Sequence, residues 1–108
     1  MDLSRIAELR DAPVPPACHL IDGLPRPASD AEVMQVTSPL NGAVLTTLAK
    51  GTRADADAAV RAARRAFDSG LWSDKPPADR KAILLKWADL IEANALEIAV
   101  LGLSLIHI

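Results

Sequence analysis

The sequence predicts an α/β chain in which a short β-meander precedes two to three helices. Three observations carry this. Six of the eight prolines (13, 15, 16, 25, 27 and 39) fall in the first 39 residues, where they forbid long helices. Side chains alternate from Glu32 to Thr37, and β-branched residues return from Val44 to Ala49. From Thr52 onward, apolar residues recur at helical spacing. With 108 residues there is room for one small domain.

The elements follow in order. Leu3, Ile6 and Leu9 are spaced for a short amphipathic helix, although a frayed terminus fits Met1 to Ala12 equally. Pro13-Val14-Pro15-Pro16 reads as extended linker, so residues 1–17 form an N-terminal arm with a Pro-rich linker. Cys18 to Gly23 is a short strand ending in a turn, and Leu24 to Asp30 reads as a loop. Glu32 to Thr37 is the next strand, with Val33, Gln35 and Thr37 on one face. Ser38-Pro39-Leu40-Asn41-Gly42 is a turn, because Asn-Gly tolerates positive φ. Val44 to Ala49 returns as its partner.

Thr52-Arg53-Ala54-Asp55 is a helix start: the threonine oxygen takes an orphan N–H, and Asp55 sits at the positive end of the dipole. Ala56, Ala59, Val60, Ala63 and Phe67 form the apolar stripe expected to be buried, and Gly70 is the stop. Pro77 suits the first turn of the next helix. There Ile83, Leu84, Trp87, Leu90 and Ile91 are expected to be buried, and Arg80, Lys81, Asp89 and Glu92 to face water. Asn94-Ala95-Leu96-Glu97 resembles a fresh cap, so this helix is expected to break and restart.

Composition excludes several functions. Half the residues are apolar, and 12 basic against 14 acidic residues leave a net charge of −2, unsuited to coating phosphate backbones. Phe67, Trp72 and Trp87 are too few for a base-stacking platform, and both tryptophans are expected to fill core. A single cysteine makes neither an internal disulfide nor a zinc cage. The start has no uninterrupted apolar stretch of secretory type, and the run from 98 to 108 is too short to cross a bilayer, which makes the cytoplasm the default.

Candidate chemistry is sparse. Cys18 beside His19 invites a thiol–imidazole dyad, but neighbours on a strand point to opposite faces. The better reading is a small buried Cys18 and a surface His19. Arg61, Arg64 and Arg65 read as a solvated face, with Asp57 and Asp68 at i,i+4 from Arg61 and Arg64. No glycine-rich phosphate loop and no metal-ligand spacing is present, so no catalytic, cofactor-binding or metal residue is assigned.

As an ensemble, three stretches resemble the opening of the NAD(P)-dependent aldehyde dehydrogenase superfamily. "HLIDGLPRPAS" is similar to its first strand and turn. "VTSPLNGAVLTTLAKGTRADADAAVRAARRAFDSGLWS" is similar to its Asn-Pro-x-x-Gly hairpin and first long helix, with Ser38 in place of the usual asparagine. "PPADRKAILLKWADLIEANALEIAVL" is similar to its second helix pair. The resemblance implies an incomplete N-terminal part of that fold, with residues 18–102 opening the cofactor-binding domain. "FDSGLWS" and "DRKAILLKWADLIEAN" are closest in wording to the polyamine-degrading γ-glutamyl-γ-aminobutyraldehyde dehydrogenase type.

The resemblance further implies oxidation of an aldehyde to the carboxylate in a homo-oligomeric parent, without nucleic-acid or membrane partners. A cysteine thiolate attacks the carbonyl, hydride passes to NAD or NADP, and a glutamate-activated water releases the acid. The family's Gly-Gln-x-Cys cysteine, its glutamate, its asparagine oxyanion donor and its cofactor loops have no matching positions here, and Cys18 does not take the nucleophile's role. This segment alone is thus expected to bind no cofactor. Backbone carbonyls of Val36 and Thr37 match positions that help hold a structural monovalent cation in some members.

Residues 103–108, LSLIHI, replace the family's Glu-Thr-Leu-Asp-Thr-Gly-Lys-like continuation and read as a translated sequencing-adapter tail. An isolated chain of this kind is expected to be marginal or aggregation-prone. Two other readings remain open: a non-catalytic small interaction module, and a piece of a succinate-semialdehyde-type dehydrogenase.

Overall fold

The structure, a computed structural model, describes residues 2–105, with the side chains of 103–105 excepted. Of the expected tail 103–108, residues 106–108 lie outside the described residues, while the backbone of 103–105 continues the last helix. The Asp2 carboxylate accepts the Arg5 N–H and opens α1 (Leu3–Asp11), so the N-terminal segment is helical and not frayed. Helix α1 then lies against α4 (Ala95–Leu105), where Val100 is buried.

The β part is two separate hairpins and not one continuous meander. Strand β1 (His19–Ile21) pairs antiparallel with β2 (Leu24–Arg26), so the stretch expected to be loop begins as a strand. Asp22 and Gly23 both take positive φ, 56° and 74°, which matches the two-residue turn that right-twisted strands favour. Pro25 is tolerated because Ile21↔Leu24 closes the turn. Alternation then puts Leu20↔Pro25 at a pair that exchanges no ladder bonds.

After Arg26 the chain turns away: Ala31 has φ 62°, and the Ser29 N–H is taken by a side chain of the next helix. Strand β3 (Val33–Thr37) therefore pairs with β4 (Val44–Ala49) alone, with a bulge between Val36 and Thr37. Ser38, buried, ties the intervening turn through Ser38 N–H to Ala43 C=O and Leu40 N–H to Ser38 Oγ. Ala17, just before the first hairpin, exchanges bonds with Thr47 and Ala49 of β4 and so links the two hairpins.

Helix α2 (Arg53–Ser69) starts with a full capping box and ends at Gly70 in the left-handed region, as expected. Helix α3 (Pro77–Ala93) carries Pro77 in its first turn, and Asn94 separates it from α4 while its side-chain amide caps the Leu90 carbonyl. The break at Asn94 is as the sequence suggests.

The expected core is different. The face of α2 turned to the first hairpin carries Asp55, Ala58 and Ala62; Val60 and Phe67 of the apolar stripe stand 69% and 66% exposed. Ile83, Leu84, Leu90 and Ile91 of α3 are exposed too, as are Trp72 and Trp87, so the tryptophans fill no core here. Arg80, expected in water, is half-buried, and its Nε is sealed from solvent without a partner.

The reason is geometric: α2 buries only its Asp55–Ala62 face, and α3 buries no residue, so among the described residues their other apolar side chains stay open. The accessible surface is 8561 Å², against about 5,800 Å² for a folded monomer of this mass. The radius of gyration is 17.7 Å, against about 13 Å for a compact chain of this length.

Candidate functional site

The polar groups that do converge meet at the start of α2. Thr52 caps the helix, accepting the Asp55 N–H on its hydroxyl at 3.2 Å. Asp55 turns its carboxylate back to accept the Thr52 N–H at 3.0 Å. The same carboxylate accepts the Ser29 N–H on both oxygens, at 3.1 and 3.2 Å, and faces His19 Nε2 at 3.2 Å. One of the Ser29 and Thr52 hydroxyls donates to the other across 2.6 Å. Three segments far apart in sequence, β1, the loop after β2 and the N-terminus of α2, are thereby fastened at one residue.

Asp55 is only 4% exposed. Its carboxyl is nevertheless held down to about 2, first by the Thr52 N–H, with burial opposing, and then by the Ser29 N–H and the side chains of Thr52 and His19. A carboxylate so committed is a poor proton acceptor near neutrality, and its bonds fasten the three segments together. The sequence motif T-x-x-D marked Asp55 as a cap; its bonds to Ser29 and His19, 26 and 36 residues away, left no local signal.

The structure reverses the expected placement of Cys18 and His19. Cys18 is exposed, whereas the His19 side chain is largely buried against Asp55. Strand parity correctly separates the two; α2 decides which of them is covered. Among the three arginines, Arg64 pairs with Asp68 at 3.7 Å and lies over the Phe67 ring, but Arg65 crosses to Asp22 of the first hairpin at 3.8 Å. Val36 and Thr37 straddle the β3 bulge, and opposite Val36 the Thr46 hydroxyl oxygen is buried without a partner. That orphaned oxygen is the kind of donor a hard cation takes. Among the described residues, no group of three or more His, Cys, Asp or Glu side chains is arranged to hold a metal ion.

Comparison with known proteins settles the family. A profile of the aldehyde dehydrogenase family matches residues 26–104, most of the chain. The chain belongs to the aldehyde dehydrogenase family. It is 43% identical over 81 residues to the NADP/NAD-dependent aldehyde dehydrogenase PuuC of Escherichia coli, covering 75% of this chain and 16% of that protein. The structure of γ-glutamyl-γ-aminobutyraldehyde dehydrogenase from Burkholderia cenocepacia superposes with a TM-score of 0.89 at 36% identity, covering 96% of this chain and 21% of that one. An indole-3-acetaldehyde dehydrogenase solved with NAD+ superposes with a TM-score of 0.84 at 37% identity, covering 91% and 20%. The chain thus spans about a sixth to a fifth of its aldehyde dehydrogenase relatives, and its helices and paired hairpins are the N-terminal part of the aldehyde dehydrogenase fold. Among the described residues, no helix is long and apolar enough to cross a membrane.

Proposed function

We propose that this chain is the N-terminal scaffold of an enzyme that oxidises an aldehyde to the carboxylate with NAD or NADP, and that the reacting groups are held by residues outside it. The observation that carries the reading is the open apolar surface of α2 and α3 on a chain that matches its relatives over a short N-terminal stretch. Faces of this kind are stable only against another layer.

The positions where a dinucleotide pyrophosphate would ordinarily dock argue the same way. Helix N-termini bind anions through free N–H groups. Here Asp2 occupies that of α1, Thr52 and Asp55 occupy that of α2, and Pro77 removes a donor from α3. The capped starts of α1, α2 and α3 support a cradle elsewhere in the polypeptide for the dinucleotide, which would supply the hydride acceptor. Residues 18–102 would open the cofactor-binding domain, with residues 1–17 as an arm and α1 docked on α4.

The wording of "FDSGLWS" and the likeness to the Burkholderia enzyme favour γ-glutamyl-γ-aminobutyraldehyde as substrate, which places the enzyme in polyamine degradation. The resemblance carries with it a homo-oligomer in the cytoplasm. A chimera tests the scaffold role: residues 18–102 replace the matching segment of the Escherichia coli relative, and formation of reduced dinucleotide is followed with γ-glutamyl-γ-aminobutyraldehyde. Aldehyde-dependent reduction is expected. A soluble, assembled chimera that forms no reduced dinucleotide with any aldehyde offered would contradict the scaffold reading.

A further inference from the structure

We infer that the cavity between the first hairpin and α2 is a binding site for a compact polyanion, such as a molecule bearing two phosphate or carboxylate groups. The cavity, of about 460 Å³, is lined by the apolar Ile21, Leu24, Pro25 and Ala58 and by the charged Arg26, Arg61, Arg65 and Asp22. This volume falls within the usual range for small-ligand pockets, roughly 300–1,000 Å³.

The charge is the telling feature. The chain as a whole carries −2, yet three guanidinium groups meet one carboxylate here, a local excess of positive charge against the sign of the whole. Asp22 is engaged by Arg65, and among the described residues neither Arg26 nor Arg61 has an ion-pair partner. Arg26 comes from β2 and Arg61 from α2, so each of the two elements that line the cavity contributes an arginine without an ion-pair partner. Guanidinium groups present paired N–H donors that match carboxylate and phosphate oxygens, and a cleft lined by one sign of charge concentrates ligands of the other.

The hairpin that brings Arg26 there is held in place by the His19–Asp55 contact and by the Asp22–Gly23 turn, so the pocket is set by structure and not by one mobile side chain. A phosphorylated metabolite and a dicarboxylic or tricarboxylic acid share this chemistry, and separate arms with inorganic pyrophosphate and with citrate tell them apart.

The test uses the complete dehydrogenase carrying this chain, and in that respect it rests on the function proposed above. Inorganic pyrophosphate is titrated calorimetrically in saturating NAD+, which fills the dinucleotide site. Citrate is titrated in parallel at matched ionic strength. Binding of at least one probe is expected. Arg26→Gln and Arg61→Gln should each weaken it by about tenfold or more, as loss of a charge-assisted bond does. Arg53→Gln, on the same helix but outside the cavity, should leave binding unchanged. Retained aldehyde oxidation in every variant, with circular dichroism unchanged, certifies the fold. Absence of binding by both probes at millimolar concentration, or binding that Arg26→Gln and Arg61→Gln leave intact, overturns the site. Loss of aldehyde oxidation in the parent with binding retained would instead overturn the enzyme reading and leave the cavity assignment standing.

Discussion

Trp87 separates a scaffold from a self-sufficient domain. It stands 62% exposed on α3. A tryptophan buries at most about 250 Å², so roughly 150 Å² of it remains in water in the chain alone. At about 25 cal/mol per Å², covering that area contributes about 4 kcal/mol, which agrees with the roughly 3–5 kcal/mol typical of Trp→Ala in a core. Trp87→Ala should therefore cost at most about 2.5 kcal/mol in the isolated chain, for the roughly 100 Å² already covered. It should cost about 4 kcal/mol more in the complete dehydrogenase, where the proposed scaffold role puts α3 under a further layer. Urea denaturation of the two forms, wild type against variant, reads the difference directly. Equal and small effects in both would refute the argument that this face is covered, and equal and large effects would show that the isolated chain already buries it.

Three further outcomes follow from the geometry. Asp55 is held at about 2 in the native state and returns to about 3.9 when unfolded; its contribution is complete above about pH 4 and is lost as the pH falls toward 2. A plot of urea midpoint against pH should show that loss, and Asp55→Asn should be less stable at neutral pH and nearly flat across the same window. Gly70→Ala should cost about 1–2 kcal/mol for forcing φ 71° on an L side chain, with an added clash against the Asp74 carboxylate; helicity on a thermal melt reads the total, and Asp74→Ala should restore only the clash. Pro25→Ala should change the unfolding free energy in urea by no more than about 0.5 kcal/mol, since no ladder bond is missing at that pair; a clear stabilisation would mean that the register is wrong.

What could be read from the sequence follows the range of the interaction behind it. The cap at Thr52, the stop at Gly70, the first-turn Pro77 and the break at Asn94 are local, each set by residues within one or two turns, and each stands where expected. The hairpin from β3 to β4 was legible for the same reason, through Asn41-Gly42. Strand β2 lies in the stretch Leu24 to Asp30 that reads as loop from sequence, whereas the Asp22–Gly23 turn fixes a register in which the missing N–H of Pro25 is harmless.

The larger reversals concern which face meets what. Alternation shows that Cys18 and His19 diverge, but only the long-range bond to Asp55 selects His19 for the interior. Periodicity marks Val60, Phe67 and Trp87 as faces that want covering, and in that it is informative; it carries nothing about whether the cover lies within the same 108 residues. The node at Asp55 was visible only as a helix cap, because Ser29 and His19 reach it through tertiary structure.

The division between scaffold here and chemistry elsewhere is tested most directly with the purified 108-residue chain, NAD+ or NADP+, and an aldehyde. No reduced dinucleotide should accumulate above a no-protein control, at any aldehyde concentration or at any pH at which the chain stays in solution. Steady, protein-dependent reduction of the dinucleotide, abolished by Cys18→Ala, would contradict the account at its centre.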